Sequence, residues 1–199
     1  MSTPKTLLEM AGANMVPPSW DDAALVLIDC QQEYVDGTLA LPGVAPALQE
    51  CAKLVAMARD AGAPVIHVVH HGKPGGGMFD PEGPSGAEAA DIAGIDGEAT
   101  VAKGLPNSFA GTNLQDVLEA TERKSLVLAG FMTHMCISST ARAALDLGYS
   151  NTVVDTACAT RDLPDGQGGV LKADDLHRAA LVALSDRFAL IVRDANAWA

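Results

Sequence analysis

A nucleophile, a carboxylate and an ammonium each stand where a short strand-like run gives out. Asp29 follows the apolar run Ala23-Ala24-Leu25-Val26-Leu27-Ile28, Lys103 follows Thr100-Val101-Ala102, and Cys136 comes soon after Leu126-Val127-Leu128-Ala129. A thiolate can attack a carbonyl carbon and pass through a tetrahedral oxyanion to a thioester. A carboxylate beside it can carry the proton, and an ammonium can hold that carboxylate in place and offset developing negative charge. The stretch Gly130-Phe131-Met132-Thr133-His134-Met135-Cys136 turns from strand to helix, since Ile137, Ala141, Ala144 and Leu145 recur at helical spacing before Gly148. Cys136 is therefore expected near a helix start, where free N–H groups and the positive dipole end favour an anion. That placement predicts an easily ionised thiol, with backbone N–H groups of the turn as an oxyanion hole.

The elements that must hold these groups alternate between strand and helix. Residues 1–22 lack a clean period and contain Pro17-Pro18, so they are expected as an extension over the domain or over a neighbouring subunit. Ala23–Ile28 reads as a strand covered on both faces. A helix is expected over 44–61, from the stripe Leu48, Cys51, Ala52, Val55 and Ala58, followed by a strand at Pro64–Val69. Residues 70–98, rich in Gly and Pro, are expected as a lid or site wall that another subunit can share. A helix from Thr112 or Asn113 to about Glu122, a strand at Thr152–Val154, an irregular piece through Gly169, a helix over 172–185 and a strand at Phe188–Val192 complete the chain. This pattern specifies one α/β domain over 23–199: a parallel sheet with helices on both faces and the ligand beyond the strands' carboxyl ends.

Composition narrows the partners. The 199-residue chain is 48% apolar and only 19% charged, which suits a single full-sized core. Its net charge of −12, with no Lys/Arg stripe, argues against nucleic acid. No apolar run reaches membrane-span length and the first residues form no secretory signal. The four cysteines lie far apart without a C-x-x-C pair, so they are expected as reduced thiols in a cytoplasmic protein.

Three motifs in order and spacing are similar to those of the isochorismatase-like cysteine hydrolases, a superfamily that includes nicotinamidases, N-carbamoylsarcosine amidases and ureidoacrylate amidases. They are Asp29-x-Gln31-x-x-Tyr34, Lys103 with Asn107-Ser108-Phe109 and Gly111-Thr112-x-Leu114, and Gly130-x-x-Thr133-x-x-Cys136. The resemblance spans Ala24 to Val192. It implies a three-layer α-β-α fold on a six-stranded parallel sheet ordered 3-2-1-4-5-6, with Asp29, Lys103 and Cys136 as a catalytic triad. It also implies a cis peptide between Phe131 and Met132 that aims the amides of Met132 and Cys136 at an oxyanion. Substrate contacts are expected from Gln31, Tyr34, Phe109, Phe131, Thr133, His134 and His70, with the Thr133 hydroxyl also supporting the turn. Homo-oligomers, as dimers or tetramers, are common in such a family.

The departures from the family are informative. Nicotinamidases carry an Asp-x-His metal motif after the first motif, and no His lies between Tyr34 and Val65 here. No metal and no cofactor are therefore expected, and the histidines at 67, 70 and 71 read as packing or loop residues, with His70 or His71 able to line the pocket. Asp155 and His177 read as structural or surface residues. The reading is a hydrolase of a small amide, carbamoyl or ureido substrate acting through a Cys136 thioester. An isochorismatase-type vinyl-ether hydrolase, in which Asp29 alone is essential, and a degenerate subunit serving binding or assembly are the alternatives.

Overall fold

The computed structural model describes residues 3–199. In chain order its elements are α1 (Leu7–Met10), β1 (Ala23–Ile28), α2 (Gln32–Val35), α3 (Val44–Asp60), β2 (Val65–His70), β3 (Ala99–Lys103), α4 (Leu114–Ala120) and β4 (Ser125–Phe131). After a π-helical turn (Thr133–Ile137) come α5 (Ser138–Asp146), β5 (Ser150–Ala159), β6 (Leu163–Pro164), β7 (Val170–Leu171), α6 (Ala173–Ser185) and β8 (Leu190–Val192). Six strands make one parallel sheet in the order β3-β2-β1-β4-β5-β8, which is the expected 3-2-1-4-5-6 with the small β6-β7 hairpin inserted before its last strand.

The unbroken apolar run of β1 has a direct cause, since both of its faces are covered. Ala23, Leu25 and Leu27 join Cys51, Leu54 and Ala58 of α3 in one core cluster. Ala24, Val26 and Ile28 join Leu114 and Leu118 of α4 and Ala141 and Ala144 of α5 in the other. A strand packed on both sides gains nothing from polar alternation. Successive strands run outward in opposite directions from β1 and β4, so the topological switch point, where sheets of this kind bind their ligands, lies at the carboxyl ends of these two strands.

Several parts differ from the sequence expectation. β5 runs for ten residues rather than three, because a register shift against β4 at Leu128/Gly130 lets Cys158 and Ala159 pair beyond the polar Asp155-Thr156 break. The extension at 3–22 contains α1, started by a Thr6–Glu9 capping box. It lies on its own domain: the Leu7 and Leu8 amides donate to Asp186, Trp20 stacks on Trp198 at 5.2 Å, and Trp198 Nε1 donates to the Pro18 carbonyl at 2.7 Å. The first two residues of the expected extension lie outside the described residues. The 71–98 loop is pinned as a wall, with Phe79, Ala89 and Ile92 buried in the core. Among the described residues no helix is long and apolar enough to cross a membrane.

Gly130 is the tightest point of the sheet. Its φ is +118°, and a Cβ built there would lie 2.1 Å from the Ile28 carbonyl oxygen of the paired strand. Only the absent side chain lets β1 and β4 pair at the residue where both chains leave for the site. Gly130→Ala is expected to cost on the order of 3 kcal/mol or more, combining backbone strain with strand separation. Chemical denaturation checks this, and an unshifted midpoint would contradict it.

Candidate active site

Asp29 leaves β1 with φ +54°, a left-handed backbone that costs a non-glycine residue roughly 1–2 kcal/mol. The neighbouring strands enforce it: its N–H donates to the Val68 carbonyl at 2.8 Å and its own carbonyl accepts from Gln31 N at 2.8 Å. The side chain is fully buried, and its Oδ2 lies 2.7 Å from Lys103 Nζ. Lys103 ends β3, two strands away, so its side chain must cross the end of β2. There its Nζ lies 3.4 Å from His70 Nδ1 and 3.4 Å from Cys136 Sγ. One ammonium therefore touches the last residue of β2, the carboxylate after β1 and the thiol after β4.

Burial raises the Asp29 pKa above the ordinary carboxylate value, and the charge and hydrogen bond of Lys103 pull it part of the way back. Burial also pushes the Cys136 thiol up to about 12; the negative charge of Asp29 adds to this and Lys103 opposes it. This corrects the expectation of an easily ionised thiol. Cys136 is 4% exposed and sits inside a π-helical turn, closed by an Ile137 N to Met132 O bond of 3.3 Å, that runs straight into α5. Desolvation outweighs any help from the helix dipole, and the resting sulfur keeps its proton. The His70 pKa is lowered to about 4, by burial first and then by the Lys103 charge. The imidazole is neutral, and since Nδ1 accepts from Lys103, its proton is on Nε2.

The expected substrate contacts divide into two groups. Gln31 is fully buried and fully committed: Nε2 donates to the His70 and Gly86 carbonyls at 2.9 and 2.8 Å, and Oε1 accepts from His70 N at 2.7 Å. It is a clamp between β2 and the 71–98 wall, with no group left for a substrate. Phe131 is likewise fully buried, packed edge-on against Tyr34 at 5.8 Å, and belongs to the core. Thr133 is sealed too; its hydroxyl is held by the Ala159 carbonyl and by His177. Tyr34 is buried, but Asp29, Cys136 and Arg161 all act on its hydroxyl, which places it beside the cluster. His70 and His134 are half-buried, His134 bonded to the Thr160 hydroxyl, and Phe109 stacks on Tyr149 at 6.1 Å. The Phe131–Met132 peptide is cis.

Two features were not foreseen. Arg161, two residues past β5, is half-buried, forms no salt bridge among the described residues and leaves Nε buried without a partner. Its charge raises the cost of protonating His134 and favours the ionised form of Tyr34. The strand-end rule that picked out Asp29 and Lys103 would have found it, had β5 been drawn to its full length. The second feature is His67, fully buried with Nδ1 at 2.7 Å from Glu88 and Nε2 at 3.0 Å from Glu98, while Arg59 grips Glu98 at 2.8 Å. Burial opposes the charged ring, but the two carboxylates outweigh it and raise its pKa. This network fastens the 71–98 wall to β2 and α3.

A cavity of about 700 Å³ opens at the opposite end of the sheet, lined by Lys124, Ser125, Ser150 and Leu190, and none of the three clustered residues reaches it. The cluster itself makes a testable statement about the thiol. Removing the Asp29 charge removes one cause of the raised thiol pKa, so Asp29→Asn is expected to speed iodoacetamide alkylation of Cys136 at pH 8 by roughly tenfold per pKa unit recovered. Lys103→Met is expected to slow it. Peptide mapping of the labelled cysteine reads both, and equal rates in all three proteins would contradict the geometry.

Residues 23–196 match the Isochorismatase domain family. The secreted isochorismatase effector Isc1 of Verticillium dahliae is 38% identical, over 89% of this chain and 92% of its own length. The maleamate amidohydrolase of Pseudomonas putida is 31% identical, over 66% of this chain and 69% of its own. The crystal structure of an isochorismatase from Pseudomonas putida KT2440, 37% identical, superposes with a TM-score of 0.92 over 98% of this chain and 99% of that one. With its buried Asp29–Lys103–Cys136 cluster at the strand ends, the chain belongs to the isochorismatase family of hydrolases.

Proposed function

We propose that the protein hydrolyses a C–N bond of a small amide, carbamoyl or ureido substrate through a Cys136 thioester, without a resident metal. The observation that carries this reading is the reach of Lys103 Nζ, 2.7 Å from Asp29 and 3.4 Å from Cys136. A thiol with a pKa near 12 needs a base at the moment of attack. Asp29 takes the thiol proton while sulfur bonds to the carbonyl carbon, and the carbonyl oxygen becomes an anion facing the Met132 and Cys136 amides. Collapse of this adduct breaks the C–N bond, and the departing nitrogen takes the proton back from Asp29. Water then attacks the thioester, again giving a proton to Asp29, and the acid product leaves as that proton returns to sulfur. The amidohydrolase name of a relative supports the bond class.

Arg161 narrows the substrate. A half-buried guanidinium with no carboxylate partner among the described residues, whose charge acts on Tyr34 and His134, is suited to a substrate that carries a carboxylate. Four free cysteines are compatible with work in the reducing cytoplasm, and a homo-oligomer is the assembly we expect there.

One observation favours a second reading. The raised pKa of Asp29 also suits a proton donor, as a vinyl ether such as isochorismate would need, and two similar proteins bear the isochorismatase name. Cys136→Ala separates the readings. It is expected to lower kcat on an amide or ureide by at least roughly a thousandfold, as is Asp29→Asn, with folding preserved. A Cys136→Ala protein that still turns over isochorismate at the wild-type rate would establish the second reading instead. For an amide or ureide the acid limb of kcat/KM is expected above the ordinary carboxylate pKa of about 4, activity falling as pH falls and Asp29 protonates, whereas a vinyl ether that needs Asp29 as proton donor is expected to lose activity as pH rises and Asp29 ionises. For amides bearing a carboxylate, Arg161→Ala is expected to raise KM about 10- to 100-fold with kcat kept within a few fold, leaving neutral amides unaffected. Steady-state assays on a charged and uncharged substrate pair test it, and an equal loss on both would refute the role.

A further inference from the structure

The turn that carries Cys136 is held from outside the cluster by a chain of three side chains. Thr133, three residues before the cysteine, is fully buried, and its hydroxyl has two neighbours: the Ala159 carbonyl at 3.1 Å and His177 Nδ1 at 2.8 Å. A carbonyl only accepts, so the single hydroxyl proton goes to Ala159 and Thr133 Oγ1 accepts from His177 Nδ1–H. On the other side of the ring, His177 Nε2 lies 2.8 Å from Asp155 Oδ1. The chain thus starts at Asp155 on β5, passes through His177 on α6 and ends in the first residue of the π-helical turn.

The turn's own backbone bonds run to the Met132 carbonyl, which receives Met135 N at 3.0 Å and Ile137 N at 3.3 Å, and to the Thr133 and Met135 carbonyls, which receive Ser138 N; the His134 contact to the Thr160 hydroxyl and the buried Ile137 side chain hold it further. A π-helical turn is a rare, locally unfavourable winding that outside contacts must maintain. The rotation of this turn sets where Sγ stands relative to Lys103 and Asp29, and a misplacement near 1 Å can cost on the order of a hundredfold in rate.

We propose that His177, oriented by Asp155, is a positioning residue for the hydrolytic reaction: through the Thr133 hydroxyl it sets the turn that presents Cys136 to Asp29 and Lys103. This rests on the reading of Cys136 as the nucleophile. The ring touches neither the sulfur nor the two charges beside it, so its effect passes through Thr133.

The test compares three replacements of His177 that differ in which bond they keep. The amide nitrogen of Asn stands where Nδ1 stood and keeps the bond to Thr133; that of Gln reaches toward Asp155 only; Leu keeps neither. His177→Leu and His177→Gln are expected to lower kcat by about 10- to 100-fold with KM within about threefold, and His177→Asn to restore kcat to within about threefold of wild type. The alkylation rate of Cys136 as a function of pH should shift in the Leu and Gln variants and return in Asn. Equal kcat values for Asn, Gln and Leu, or a wild-type kcat in Leu, would overturn the proposal. Should the Leu variant fail to fold, the Asn and Gln pair decides alone. Cys136→Ala runs beside them: full activity there would sink the nucleophile reading, whereas its loss with an unaffected His177 series sinks only the positioning role.

Discussion

Everything at the carboxyl edge of this sheet depends on a single buried ion pair, Lys103 Nζ against Asp29 Oδ2 at 2.7 Å. Neither partner reaches water, since Asp29 is 0% and Lys103 2% exposed. Desolvating two such charges costs several kcal/mol per ion, and their attraction offsets that only with good geometry and further hydrogen bonds. Here the set is incomplete, because Asp29 Oδ1 is buried with no conventional partner. A pair built for stability alone would be replaced profitably by packed hydrocarbon. Its placement at the strand ends, with one carboxylate oxygen left over beside a thiol, supports the proposed role, in which stability is given up for chemistry.

The frame around the pair explains how two charges from non-neighbouring strands can meet. β3 is an edge strand and β1 is central, so Lys103 has to cross β2. The crossing is possible because β2 ends in His70, whose neutral ring offers Nδ1 as a third acceptor for the ammonium. Gln31 holds that strand end by three bonds to its surroundings, and the left-handed turn at Asp29 swings the carboxylate back over it. Behind β2, His67 with Glu88 and Glu98 fastens the 71–98 wall. The site is thus supported chiefly by polar groups that never meet a substrate.

How much of this was legible follows from what sequence patterns encode. Apolar runs and helical stripes report burial, so both core faces and the strand-end positions of Asp29, Lys103 and Cys136 could be reached, whereas the strand order came from the motif resemblance. Residue type does not report which way a side chain points. Gln31 and Phe131 lie within the motifs at the site and were expected at the substrate, yet one is spent on backbone groups and the other on the core. His67 sits inside the apolar run Val-Ile-His-Val-Val, where nothing local reveals that two carboxylates 21 and 31 residues on will close over it. Arg161 was hidden by a polar break in β5 that drew the strand too short. The thiol was misjudged for a different reason: the dipole argument is local and can be made from sequence, whereas the desolvation that overrides it exists only once the chain has folded.

Desolvation of the thiol also keeps such a site from idle chemistry. A thiol ionised at rest would react with any electrophile or oxidant that reached it. A sulfur that keeps its proton until a carbonyl is in place is inert by default. The same burial that withholds the thiolate also raises Asp29 toward the range where it can both take and return a proton. Both shifts have one cause, and Lys103 moderates both because its ammonium favours each ionised form. In the proposed reaction the proton passes between two groups whose affinities burial and a shared cation adjust together, so that a site this deeply buried could run acid and base steps in alternation.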